Sequence, residues 1–225
     1  HTRCLSDWSS DVCSSDLGSF DPVHAGHVGL AHYFCTLLHP EQLRLIPAGK
    51  PWQKPELTTP AEHRIAMLKL AFEQWPIPIH IDSLEIQRKG PSYTVDTLQE
   101  LRHSLGEQIS LVWIIGADQL TNLHTWHEWR TLFELTNLAV AARPGYLLDK
   151  ANLDGEVLNE ISRRLASPSQ LNHTPSGLVF IADNLAWDIS STTLRESLRQ
   201  GKSVKGLLPT PVLDYAQQHH LYKIT

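Results

Sequence analysis

Two periods of apolar spacing take turns along this chain. From Val28 to Leu38 the apolar residues Leu30, Phe34, Leu37 and Leu38 fall at i, i+4, i+7 and i+8, which predicts one buried face of a helix. Residues 42 to 47 (QLRLIP) read as a strand. Residues 60 to 74 read as a helix with Pro60 near its start, Ile65, Leu68 and Phe72 inside, and Arg64 and Lys69 on the wet side. A strand follows around residues 77 to 81. After the turn Gly90-Pro91-Ser92-Tyr93-Thr94, which offers a capping candidate, Thr94 to Ser104 begins a stripe of Val95, Leu98, Leu101 and Leu105. Leu111-Val112-Trp113-Ile114-Ile115 is a continuous apolar run, the form of a strand buried on both faces of a parallel sheet. Residues 137 to 142 repeat it. Residues 156 to 165 predict a helix and then a Pro/Ser/Asn-rich connection, residues 178 to 181 the last strand, and residues 209 to 220 a short closing helix. Before that closing helix another begins near Ser190, with Leu194 and Leu198 inside and Arg195 and Arg199 on a second face.

This alternation predicts an α/β fold, a Rossmann-like open, mostly parallel sheet with helices on both faces. Ligands in such sheets lie at the carboxyl ends of strands, where the strand order reverses. Four stretches follow predicted strands and should therefore converge on one cleft: residues 18 to 27, Gly116-Ala117-Asp118, Arg143-Pro144-Gly145 and the segment from Ser190 to Arg195. Residues 1 to 17 do not fit. They repeat Ser-Asp units where a β-branched opening strand is expected, so the segment reads as non-native or as a poorly formed first strand, leaving residues 18 to 225 as a single domain.

Composition narrows the class. Hydrophobic residues are 41% and charged residues 19% of 225, which is a globular mix rather than a disordered or fibrous one. A formal net charge of −5 argues against a nucleic-acid backbone or an anionic membrane as partner, and any cationic site should be small. With no run of 18 apolar residues and no signal-like start, the expected location is cytoplasmic. Cys4, Cys13 and Cys35 form no disulfide framework.

The chemistry concentrates in Gly18-Ser19-Phe20-Asp21-Pro22-Val23-His24-Ala25-Gly26-His27. Turn residues and two imidazoles three positions apart stand directly before a helical run, the sequence form of a loop feeding a helix N-terminus. Free N–H groups and the positive end of the helix dipole make such a terminus an anion site, most often for phosphate. Gly26 would let a ligand approach the backbone. A satisfied surface histidine, or half of a metal site, would also produce His-x-x-His. Lys50 and Lys54, in the Pro-rich loop of residues 47 to 55, read as solvated charges or as helpers near a triphosphate. Asp118, at a strand end, reads as a helix cap or as an acceptor for ribose hydroxyls, and Trp126, on a polar loop, as a stacking candidate.

The loop resembles the Gly-[Ser/Thr]-Phe-Asp-Pro-x-[His/Thr]-x-Gly-His signature of the nucleotidylyltransferase superfamily. With residues 90 to 98, Ile115-Gly116-Ala117-Asp118, Arg143-Pro144-Gly145 and residues 189 to 195 in the same order, residues 18 to 225 resemble the bacterial nicotinate-nucleotide adenylyltransferases. In that family a second Gly commonly stands where Leu17 is. The resemblance implies transfer of the adenylyl group of ATP to nicotinate mononucleotide, in NAD biosynthesis, by direct in-line attack without a covalent enzyme intermediate. It implies that His24 and His27 contact ATP phosphates, with His27 donating to the α-phosphate, and that Ser190, Ser191, Thr192 and Arg195 hold the outer phosphates with help from Lys54. Asp118 would engage a ribose and Gly116 would let the nucleotide lie close. Trp126 would stack on the pyridine, and Thr94 and His127 would offer main-chain N–H groups to its carboxylate, His127 standing where a Tyr is expected. Gly18, Ser19, Phe20, Tyr93 and Arg143 complete the implied substrate-binding set. Mg²⁺ is expected on the ATP phosphates with no metal ligand from the protein; nucleic acid and membrane are not expected partners, and homo-oligomerisation is left open. The rival readings are a phosphopantetheine or nicotinamide-mononucleotide adenylyltransferase, an inactive nucleotide-binding protein, and a zinc protein using His24, His27, His124 and His127.

Overall fold

The structure is a computed structural model; it describes residues 12–15 by their backbone, and residues 19–50, 57, 59–142, 153–183, 185 and 189–222. In chain order its elements are β1 (Val12–Ser15), α1 (Ala25–Leu38), β2 (Gln42–Leu45), α2 (Ala61–Ala71), β3 (Ile79–Ile81), α3 (Leu84–Gln87), α4 (Thr94–Leu105), β4 (Leu111–Gly116), α5 (Ala117–Thr121), α6 (Leu132–Leu135), β5 (Asn137–Ala141), α7 (Gly155–Arg164), α8 (Pro168–Asn172), β6 (Val179–Ala182), α9 (Ser191–Arg199) and α10 (Thr210–Gln218). All strand pairs are parallel, in the spatial order β3-β2-β1-β4-β5-β6. The order reverses between β1 and β4, so a crevice opens beyond their carboxyl ends.

β4 shows why the sheet is covered on both sides. Val112 and Ile114 face a core built with Phe34 of α1, Leu68 of α2 and Leu194 of α9. Leu111, Trp113 and Ile115 face a second core built with Leu98 and Leu101 of α4 and Ile161 of α7. Alternate residues of one strand thus feed two cores, which is what an unbroken apolar run in a parallel sheet encodes.

Several expectations need correction. β1 is formed and pairs with both β2 and β4; ladder bonds use main-chain groups, so Ser-rich residues occupy the slot that β-branched ones were expected to fill. The inner face of α2 is Arg64, Met67 and Leu68, while Ile65 is only half-buried. Arg64, expected on the wet side, is 3% exposed. Its Nη1 donates to the carbonyls of Ser19 at 2.9 Å and Ala48 at 2.8 Å, so two distant loops supply the acceptors that make its burial tolerable. The Pro/Ser/Asn-rich connection contains α8, whose start is a capping box: Ser167 Oγ accepts from Gln170 N–H, and the Gln170 side chain accepts from Ser167 N–H.

Candidate active site at the strand-order reversal

α1 begins at Ala25, three residues earlier than its apolar stripe suggests, so His24 is its N-cap and His27 lies in its first turn. The Ala25 N–H is taken up by the carbonyl of Leu207 at 2.8 Å. His24 N–H donates to His27 Nδ1 at 3.1 Å, which places the ring proton of neutral His27 on Nε2 and makes that atom a donor. The two imidazoles stack at 3.6 Å between centroids, and Phe20 closes the other side of His27 at 4.9 Å. Phe20 is wholly buried, so it supports His27 and presents no face of its own to the crevice. A side chain at Gly26 would come within 3.0 Å of His24 Nδ1 and 3.5 Å of Ile189. The space above Gly26 therefore belongs to the folded-back imidazole, not to a ligand as the sequence suggests.

His24 is 5% exposed, its Nδ1 is buried without a hydrogen-bond partner, and burial lowers its pKa to about 4. It is a neutral imidazole at neutral pH. Between pH 6.5 and 4 the unfolded chain takes up a proton that the folded chain refuses, so this group's contribution is complete above pH 6.5 and is lost as pH falls toward 4. Urea unfolding at pH 7 and pH 5 should differ by about 2 kcal/mol from His24 alone, and His24→Asn should remove that difference.

The start of α9 is fastened to the same loop. Arg195 Nη1 donates to the carbonyl of Asp21 at 2.6 Å, its Nη2 to Thr192 Oγ1 at 3.3 Å, and Ser191 Oγ donates to the carbonyl of Pro22 at 3.1 Å. Neither α1 nor α9 has an acidic residue in its first turn, and Ser190, the N-cap of α9, makes no side-chain cap bond. The starts of two helices, two imidazoles and one guanidinium thus gather around one loop, an arrangement suited to an extended anion.

Opposite them, β4 runs into α5. The main-chain N–H of Gly116 donates to Gln119 Oε1 at 3.0 Å, so Gln119 and not Asp118 serves that helix start. A Cβ on Gly116 would lie 2.4 Å from Asp118 Oδ1: glycine there leaves room for the carboxylate to fold back over the strand end, while the residue itself remains exposed. α4 starts at Thr94, with Tyr93 as N-cap and no side-chain cap, so the capping candidate in that turn is not used. Tyr93 meets His127 ring to ring at 4.7 Å. Trp126, expected on an open polar loop, is 8% exposed and belongs to the second core, with Leu123 and Leu132. Gly18, Lys54 and Arg143 lie outside the described residues. Ser19 is held through its carbonyl, which accepts from Arg64.

Sequence reasoning missed three residues that hold the loop. Asp21 is 1% exposed and accepts from the Tyr222 hydroxyl at 2.7 Å, and Arg64 binds the Ser19 carbonyl. Asp21 was visible inside the motif; Tyr222, 201 positions away, carried no local signal. Among the described residues no group of three or more His, Cys, Asp or Glu side chains stands together as a metal site, and no helix is long and apolar enough to cross a membrane.

Residues 17–197 match the family described as cytidylyltransferase-like. A Herminiimonas arsenicoxydans chain named as a nicotinate-nucleotide adenylyltransferase is 48% identical over 206 residues, which cover 92% of this chain and 94% of that one. A Chromobacterium violaceum chain of the same name is 42% identical over 207 residues, covering 92% and 96%. Among solved structures, Plasmodium falciparum nicotinic acid mononucleotide adenylyltransferase complexed with NaAD aligns with a TM-score of 0.70 over 95% of this chain and 97% of that one, at 18% identity, a likeness of fold.

Proposed function

Since this chain belongs to the cytidylyltransferase-like family and, within it, to the nicotinate-nucleotide adenylyltransferases, we propose that its crevice transfers the adenylyl group of ATP to nicotinate mononucleotide. The products are nicotinate adenine dinucleotide and pyrophosphate, a step of NAD biosynthesis. The observation that carries the reading is the fastening of the α9 start to the α1 loop through Arg195 and Ser191.

A phosphate oxygen of the mononucleotide attacks the α-phosphorus in line; the new O–P bond forms as the bond to the pyrophosphate oxygen breaks, and that oxygen leaves with the electron pair. The attacking oxygen is already an anion, so no base or nucleophilic side chain is needed, and the protein's work is positioning and charge stabilisation. His27 Nε2–H donates to the α-phosphate as charge builds there. His24, neutral and stacked on it, keeps the ring aligned and lines the phosphate site. Arg195 and the start of α9, with Ser190, Ser191 and Thr192, receive the departing phosphates, and Lys54 assists from its loop. Asp118 accepts from a ribose hydroxyl; the Tyr93–His127 face, the Thr94 N–H and the Trp126 loop receive the pyridine. The triphosphate's own oxygens would hold a divalent cation, Mg²⁺ in this reading, which would neutralise part of their charge; the first turns of α1 and α9 carry no carboxylate to oppose the phosphates.

The test is pyrophosphate release with ATP and Mg²⁺ and, in turn, nicotinate mononucleotide, nicotinamide mononucleotide and phosphopantetheine. Fastest turnover with the first supports the reading; preference for either of the others, or none with any, overturns it. A narrower outcome concerns Asp118. Gly116→Ala should displace its carboxylate and raise the nucleotide KM on the order of tenfold, the loss of one hydrogen bond to a charged group, with the thermal midpoint little changed.

A further inference from the structure

The last described turn of the chain is strained in a way that needs a reason. His220 and Tyr222 both have positive φ, 54° and 63°, a region that costs a residue with a side chain about 1–2 kcal/mol. α10 leads into this turn and packs on α2, where Tyr215 Oη and His63 Nδ1 are 2.9 Å apart. The turn delivers the Tyr222 ring, 9% exposed, to the buried phosphate-side loop. There its hydroxyl donates to Asp21 Oδ1 at 2.7 Å and shares a side-chain hydrogen bond with Thr59, the residue before Pro60 at the head of α2. The guanidinium groups of Arg64 and Arg195 act electrostatically on the same pair. Asp21 is therefore a node: its carboxylate is held by Tyr222, and its carbonyl holds Arg195 Nη1 at 2.6 Å. Three residues on, the same loop ends in His24.

We propose that Tyr222 is a positioning residue for adenylyl transfer: by fixing the Asp21 side chain it sets the loop whose main chain anchors Arg195 and whose end places His24 and His27. The far end of the chain thus controls the phosphate site without touching substrate. The proposal rests on the adenylyl-transfer reading for its kinetic consequences, while the geometric coupling itself does not.

Tyr222→Phe removes one hydroxyl and keeps the ring's packing. The kcat per folded molecule should fall on the order of tenfold, as expected for losing a hydrogen bond to a charged group, while the mononucleotide KM stays within about twofold, because its contacts lie on other loops. In substrate-free protein the imidazole nitrogen resonances of His24 and His27 should shift. Combined with Asp21→Asn, the double variant should be no slower than the slower single variant, because both act through one contact. Unshifted resonances, a wild-type kcat, additive losses, or a loss that only tracks the folded fraction would each overturn the proposal. Should Tyr222→Phe unfold at the assay temperature, the Asp21→Asn resonances decide, the same shift being expected. A wild-type chain that releases no pyrophosphate would defeat the functional reading instead, and the substrate-free resonances would still decide the coupling.

Discussion

His27→Ala is expected to lower kcat by about 10²–10³, the loss seen when one preorganised donor to developing charge is removed. The expectation rests on Nε2 carrying the ring proton, since Nδ1 is already occupied by the His24 N–H at 3.1 Å. The ring is 5% exposed between Phe20 and His24, so its removal also costs stability, by about 1–3 kcal/mol. His27→Asn separates the two effects. Its carbonyl oxygen can accept from His24 N–H and keep the first turn of α1, yet it places no donor where Nε2 stood. Folding close to wild type with a loss in kcat comparable to that of His27→Ala is the expected outcome. Steady-state rates within a few-fold of wild type in both variants would show that the imidazole is only packing.

Arg195→Lys is expected to reduce kcat/KM for ATP by about 10²-fold. The guanidinium fork has one branch on the Asp21 carbonyl and one on Thr192 Oγ1, and it remains partly exposed. An ammonium is a point charge on a flexible stem and cannot hold the loop while reaching a phosphate in a fixed direction. Charge is conserved in this substitution, so a large loss identifies geometry as the cause. Saturating ATP should restore little if the contact strengthens in the transition state, and most of the rate if it only binds the ground state. The mononucleotide KM is the internal control, since Arg195 is held by Asp21 and Thr192 and not by the Tyr93–His127 pair.

Legibility in the sequence followed the range of the interaction. β4, α4 and the body of α1 were readable because their burial is encoded within the elements: five consecutive apolar residues for the strand, a spacing of three and four for the helices. The doubly wound sheet followed from their alternation. Arg64 was misread because helical periodicity sorts charges outward, and the carbonyls that satisfy it belong to Ser19 and Ala48. Trp126 was misplaced for the opposite reason: its neighbours in sequence are polar, but its neighbours in space are the second core. In the site, the motif pointed to His24, His27 and Arg195, whereas the roles of Gly26 and Gly116 became clear only once His24 and Asp118 were seen filling the space beside them. Tyr222 and Asp21 meet although 201 positions separate them in sequence, and no local pattern announces a pair of that kind.

The claim under all of this is that the starts of α1 and α9 hold a single triphosphate between them. A crystal structure of the protein with a non-hydrolysable ATP analogue tests it directly. An α-phosphate oxygen is expected within about 2.6–3.2 Å of His27 Nε2, with the outer phosphates on Arg195 and the first-turn N–H groups of α9. A triphosphate seated at another strand end, or touching only one of the two helix starts, would contradict it.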